Sequence, residues 1–325
     1  MSKPKVAFYW CASCGGCEEA VVDLAEGVLQ VVDAVDICFW PCALDFKKSD
    51  VEAMADGEIT ACFINGAIRS SEQLEMAELV RRKSKVLVAF GSCAQQGGIP
   101  GLANLFDLKG VMETAYETTA STVNPDKTRP KTSHREGNHE LTLPELWDTV
   151  HAVSQRIDVD YFIPGCPPTP KLLADAVNAL LEGKLPPKGS ILSPNMALCE
   201  QCPRKDSKPS DLAIKEFKRP HAHMIDPEKC LLAQGFLCMG PATRGGCESL
   251  CINGNMPCTG CFGPTDQVRD QGAKALSAIA SAVGSNDEGE IENILKGIVD
   301  PVGTFYRYGL ATSMLHRKKM PAKGA

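Results

Sequence analysis

Sixteen cysteines in 325 residues are the side chains here with chemistry to do. Eight of them fall in one Gly- and Pro-rich run: Cys199, Cys202, Cys230, Cys238, Cys247, Cys251, Cys258 and Cys261. Cys199 with Cys202, and Cys258 with Cys261, form CxxC pairs. Two sets of four thiolates are what two tetrahedral metal sites or two iron–sulfur clusters require. The competing reading, a disulfide framework, needs an oxidising compartment. The start, MSKPKVAFYWC, carries neither a long apolar core nor a twin-arginine pair, so no export signal is expected. No apolar run reaches the ~18 residues of a membrane helix. The expectation is a cytoplasmic chain without a membrane span, its cysteines serving as ligands.

The elements that must position these thiols are legible in the first half. Lys5 to Trp10 (KVAFYW) reads as a buried strand that stops at Cys11-Ala-Ser-Cys14-Gly-Gly-Cys17. Glu18 to Gln30 reads as one helix, with Val21, Val22, Leu24 and Leu29 on its apolar face. Further strands are expected at Val35 to Trp40, Ala61 to Ile68, Lys85 to Phe90 and Asp160 to Ile163. Helices are expected at Ser71 to Arg82 and Lys171 to Leu181. Strands alternating with helices predict a parallel, flavodoxin-like α/β sheet. Cys14 and Cys17, Cys93, and Cys166 then each follow the C-terminal end of a strand, where open α/β sheets bind ligands. Three loops can deliver four thiolates to one place, and nearby glycines let backbone N–H groups face the sulfurs.

The stretch from Glu117 to Leu143 is polar and reads as a solvated insertion or a docking loop, with His134 and His139 at the surface. Composition shifts to Pro, Gly and Ser between Gly183 and Pro194, which divides the chain into 1–185 and an irregular 186–325. A chain wrapped around metal clusters needs little regular structure. One short helix is expected at Asn286 to Ile298, and the basic tail after Arg317 is expected to fray. Apolar content of 44% supports a core, and a net charge of −6 argues against nucleic-acid binding. Gly91 to Gly98 lacks the lysine of a phosphate loop, and no acid–base pair or nucleophile elbow is present.

Trp10…Cys14-Gly-Gly-Cys17-Glu18-Glu19, Gly91-Ser92-Cys93-Ala94 and Gly165-Cys166-Pro167-Pro168 follow one another in order. Together they resemble the proximal-cluster signature of [NiFe]-hydrogenase small subunits. The first and last also resemble the related subunit of respiratory complex I, which lacks a second cysteine-rich domain. Here Cys230-(x7)-Cys238-Met-Gly-Pro and Cys247…Cys258-Thr-Gly-Cys261 continue the hydrogenase pattern. The resemblance covers nearly the whole chain apart from the insertion. It implies a proximal [4Fe–4S] cluster on Cys14, Cys17, Cys93 and Cys166. It further implies a distal cluster on Cys199, Cys202, Cys230 and Cys238, and a medial one on Cys247, Cys251, Cys258 and Cys261.

Two positions depart from the commoner family pattern. Many members have histidine where Cys199 stands, and proline, with a three-iron cluster, where Cys251 stands. Cysteine at both implies three [4Fe–4S] clusters of low potential. The departures resemble the cytoplasmic F420-non-reducing branch found in methanogens. That branch implies a large subunit holding a Ni–Fe centre, a small iron–sulfur subunit and a heterodisulfide reductase as partners. An F420-reducing hydrogenase subunit, a complex I-like subunit with one cluster, and a structural zinc protein are the alternatives.

Four cysteines are left over. Cys38 and Cys62 fall in strands and read as core. Cys42 follows Trp40-Pro41 in a loop. Cys11 could replace Cys14 as a ligand, since Cys11, Cys14 and Cys17 share ferredoxin-like spacing. His221 and His223 are i, i+2 and read as non-ligands. Glu18 or Glu19 is expected at the partner interface beside the proximal cluster.

Overall fold

The computed structural model describes residues 3–316; the expected frayed tail lies outside them. The chain runs β1 (Lys5–Trp10), α1 (Gly16–Val22), α2 (Gly27–Ala34), β2 (Asp36–Phe39), α3 (Lys48–Ala53) and β3 (Ile59–Asn65). It continues through β4 (Ile68–Ser70), α4 (Ser71–Lys83), β5 (Ser84–Phe90), α5 (Ser92–Gln96) and α6 (Leu108–Glu113). Then come β6 (Ser133–Glu136), β7 (His139–Thr142), β8 (Leu146–His151), β9 (Tyr161–Ile163) and α7 (Pro170–Leu181).

The main sheet has the order β2-β1-β3-β5-β9, all pairs parallel. Counted within the sheet, this is the 2-1-3-4-5 order of flavodoxin-like folds. Alternation along the strands feeds two cores. Ala7, Cys62, Ile64 and Leu87 face α4, which contributes Met76, Leu79 and Val80. Val6, Phe8, Phe63 and Val88 face the other way, onto Val21 of α1 and Leu172 and Leu173 of α7. α4 starts where expected because Ser70 caps it: its side chain accepts from Gln73 N–H while the Gln73 amide oxygen accepts from Ser70 N–H.

Two sequence expectations are corrected. The helix over 18–30 is two helices, because Ala25 takes a left-handed φ of 52° and breaks the ladder. Val22 and Leu29, expected on its apolar face, are 63% and 67% exposed. The strand over 61–68 ends at Asn65. Gly66 turns there at φ +89°, and a Cβ on it would lie 2.7 Å from the Cys11 carbonyl carbon. β4 then pairs antiparallel with β8.

The region from 111 to 149 has no buried residue, and within it β6 and β7 form an exposed antiparallel hairpin. His134 and His139 are at the surface there, as expected.

Beyond α7 a third core gathers Leu198, Leu231, Phe236, Met239, Ile279 and Leu310 among others. α8 (Leu198–Gln201), α9 (Leu250–Asn253), α10 (Gln271–Ala280), α11 (Glu288–Leu295) and α12 (Pro301–Phe305) surround it. α11 lies inside the helix expected at 286–298. The sequence reading did not find α10, which buries Gln271, Gly272, Ala275 and Ile279 although its apolar residues gather on one face. No helix among the described residues is long and apolar enough to cross a membrane.

Candidate metal centres

β1, β5 and β9 end at one edge of the parallel sheet, with β3 between β1 and β5, and their loops bring Cys14, Cys17, Cys93 and Cys166 together. Burial pushes the Cys93 thiol up to about 12, and the neighbouring Cys166 and Cys14 add to it. Cys17 is raised further, by burial and then by Cys93, Cys166 and Cys14. Gly91 permits this convergence. It takes φ +86°, and a Cβ there would overlap Cys17 Sγ. The Ile99 N–H faces the Cys93 sulfur.

Cys199, Cys202, Cys230 and Cys238 form a second group around a narrow cavity of about 30 Å³, closed by Leu231, Leu232 and Ile252. Burial raises Cys199 to about 12, with Cys238, Cys202 and Cys230 adding to it and Lys208 opposing it. Burial raises Cys238 to about 11, against N–H groups of Gly240 and Cys258. The third group, Cys247, Cys251, Cys258 and Cys261, lines a cavity of about 300 Å³ together with Cys166 and Phe262. Burial raises Cys261 to about 12, opposed by the Cys166 N–H. The N–H groups of Ser249 and Leu250 face Cys247.

The three groups touch in series. Cys261 of the third meets Cys166 of the first. The Cys258 N–H of the third donates to Cys238 Sγ of the second at 3.4 Å.

Arrangements that sequence reasoning missed hold these loops. Ser92 Oγ, next to Cys93, donates to the Cys261 carbonyl. Gln271 Nε2 donates to Gly260 O at 2.9 Å and to Thr243 Oγ1 at 3.2 Å. Arg244, 1% exposed, donates to the carbonyls of Ser193, Pro194 and Pro264 and pairs with Asp266. Arg204 ties Asp226 O and Lys229 O, before Cys230, to Ile252 O and Asn255 Oδ1, after Cys251. Their closeness in sequence to cysteines was the only signal; the carbonyls they reach are scattered along the chain.

The leftover cysteines sort by face. Cys11, Cys38 and Cys62 are buried together in the core under α4, away from the thiols at the strand ends. Cys42 is exposed, and its thiol donates to Glu18. Of the two glutamates expected at the partner interface, Glu18 is 5% exposed, and Asn65 Nδ2 donates to its Oε1 at 2.9 Å. Glu19 is exposed, as are His221 and His223.

The donor chemistry fits iron–sulfur clusters. Buried thiols that raise one another ionise only beside a cationic metal, and the N–H groups aimed at sulfur stabilise thiolates. Among the described residues, no three His, Cys, Asp or Glu side chains close around a point fit for one ion. A zinc ion, bonded at about 2.3 Å to each sulfur, would draw four sulfurs to within about 4 Å of one another.

Comparison with known proteins follows the same lines. The family model described as "NADH ubiquinone oxidoreductase, 20 Kd subunit" matches residues 14–180, which hold the first quartet alone. The iron–sulfur subunit of the F420-non-reducing hydrogenase of Archaeoglobus profundus is 40% identical, over 97% of this chain and 98% of its own. The chain belongs to the [NiFe]-hydrogenase small-subunit family. Within it, a subunit of the F420-non-reducing hydrogenase of Methanothermobacter thermautotrophicus is 36% identical, over 97% of each chain. A chain of the [NiFeSe] hydrogenase from Desulfovibrio vulgaris Hildenborough shares the fold at 19% identity and a TM-score of 0.51. That match covers 81% of this chain and 94% of that one. As a hydrogenase small subunit the chain is part of an oxidoreductase, serves electron transfer through iron–sulfur chemistry, and pairs with a large subunit.

Proposed function

We infer that this small subunit holds three all-cysteine [4Fe–4S] clusters and links H2 oxidation in a Ni–Fe large subunit to a cytoplasmic iron–sulfur and flavin acceptor. The proximal cluster is assigned to Cys14, Cys17, Cys93 and Cys166, within 1–185. The medial cluster is assigned to Cys247, Cys251, Cys258 and Cys261, and the distal to Cys199, Cys202, Cys230 and Cys238, both within 186–325. When bound, such clusters accept and release single electrons at potentials set by ligation, N–H···S bonds and burial.

One observation carries the reading: the quartets adjoin in the order first, third, second, through Cys166 beside Cys261 and Cys258 beside Cys238. An array with two separate ends joined through a middle group suits a relay. The chain's own part is to hold the thiolates, aim the N–H groups of Ile99, Ser249, Leu250 and Gly240 at them, and keep the space dry with Phe262, Leu231 and Ile252. The sheet edge bearing Cys14 and Cys17 faces the large subunit in this reading. In this reading the acceptor is a small iron–sulfur subunit leading to a heterodisulfide reductase; the full-length relatives, named F420-non-reducing hydrogenase subunits, support the choice of branch.

Metal analysis of the complex, purified without oxygen, tests this. About twelve irons on this chain, after allowance for its partners, with about one nickel per chain, are expected. About four irons without nickel would favour a complex I-like subunit, and zinc in place of iron would end the electron-transfer reading.

A further inference from the structure

The region from 111 to 149 is ordered yet has no core. None of its residues is buried. Glu117 pairs with Arg129 and Lys127, and Asn124 binds the carbonyls of Tyr116 and Thr128 and the Thr128 N–H. The β6–β7 hairpin stands on these polar ties, with both faces in solvent: His134, Glu136, His139 and Leu141 on one, Ser133, Arg135, Glu140 and Thr142 on the other. A lone two-stranded hairpin is marginal in water, and ordering residues 114–145 has an entropic cost that no buried residue among them offsets; Trp147, which packs on the core under α4, lies outside that span. Tyr116, Val123, Leu141 and Leu143 are left exposed, Val123 at 94%. Residues 117–143 carry four basic and four acidic side chains. That balance suits a protein partner better than nucleic acid or a membrane surface.

The root of this arm says which partner. The arm leaves through α6, which follows the segment Ile99–Leu105 and, before it, α5, the helix at the C-terminal end of β5 that carries Cys93. It returns through β8, which pairs with β4 just past the C-terminal end of β3. Asn104 and Val150 fasten the two ends by reciprocal hydrogen bonds of 2.9 and 2.8 Å. The arm therefore stands on the same sheet edge as Cys14, Cys17, Cys93 and Cys166.

We propose that residues 114–145 are a clamp that docks on the large subunit, extending the interface built around the proximal quartet. Its anchors are Val123, Leu141 and Leu143. This rests on the reading of that edge as the large-subunit face.

The test uses the assembled complex purified without oxygen. A photo-reactive phenylalanine analogue is placed at Leu141 or Val123, irradiated, and the cross-linked chain identified by mass spectrometry. Cross-links to the nickel-bearing subunit are expected. Cross-links confined to a second copy of this chain or to another subunit, or none at all, would overturn the clamp. In a second variant, a short Gly-Ser linker replaces 118–142. Its iron per chain should match the parent, while association with the large subunit weakens at least tenfold; undiminished association overturns the clamp. Nickel content read on the same samples separates the two levels. A complex without nickel defeats the hydrogenase assignment, whereas a nickel complex with a free arm defeats only the clamp.

Discussion

Cys258 N–H donates to Cys238 Sγ at 3.4 Å, and the Cys258 thiol, raised by burial, is raised further by Cys238 and then by Cys261, so this residue stands where the second and third groups of thiols meet. The Cys166 N–H stands in the same relation to Cys261. At each junction a backbone donor of one quartet therefore faces a sulfur of the next. N–H···S bonds raise cluster potentials by stabilising the reduced, more negative form. Replacing Cys238 by Ser is expected to remove or weaken the distal cluster while leaving the signals of the other two. Iron analysis with EPR of the reduced complex checks this; loss of all three sets of signals would contradict separate ligand sets.

Cys251→Pro is expected to move the medial cluster toward a three-iron form at a higher potential. Cys251 is the exposed member of its quartet, so the change should disturb packing little. EPR of the oxidised variant should gain a three-iron signal. An unchanged spectrum would count against the assignment of Cys251.

Cys11→Ala and Cys38→Ala should each leave iron content unchanged. Both side chains lie in the core under α4, not among the thiols at the strand ends. A loss of about four irons in the Cys11 variant, read by colorimetric iron assay, would reassign the proximal ligands.

Gly91→Ala places a methyl group onto Cys17 Sγ at a left-handed φ. Backbone strain of about 1–3 kcal/mol is expected, together with displacement of one proximal thiol. The purified complex should show lower proximal-cluster occupancy and a lower Tm, and wild-type values for both would mean the loop relaxes freely.

Asp160 joins β9 to its surroundings through Arg81 and Lys188, each at 2.6 Å, and the Leu87 N–H at 2.8 Å. Burial alone would push its carboxyl up; Lys188, Arg81 and the Leu87 N–H outweigh it and hold the carboxyl below its usual range. A depressed folded-state pKa gives stability that is present above the ordinary aspartate value and lost as pH falls through the folded one. Asp160→Asn should therefore be less stable than the parent at pH 7. The gap should close in acid, below about pH 4. Denaturation midpoints across that range check the sign.

The sheet was legible because alternating apolar strands and capped helices are local signals, and β1, α4, β5 and α7 fall within a residue of where those signals put them. The loops bearing Cys14, Cys17, Cys93 and Cys166 were legible for the same reason, since each follows a strand end. Misreadings came where local backbone geometry decided. Ala25 breaks a helix that composition would have continued. The inward turn of Glu18 was also hidden, because its partners Asn65 and Cys42 are far away in sequence.

By itself, then, the sequence determined a parallel α/β sheet, the loops that bear the thiols, and through ordered motifs the family. Those depend on residue type and spacing along the chain. Which thiols share a cavity, that Cys11 packs away from them, and that Arg244 and Arg204 hold the cysteine loops were decided by the tertiary structure. So was the placing of the 111–149 arm on the sheet edge that bears Cys14, Cys17, Cys93 and Cys166. Each depends on groups distant in sequence meeting in one desolvated place, where hydrogen bonds and charge must be satisfied from whatever the fold brings near.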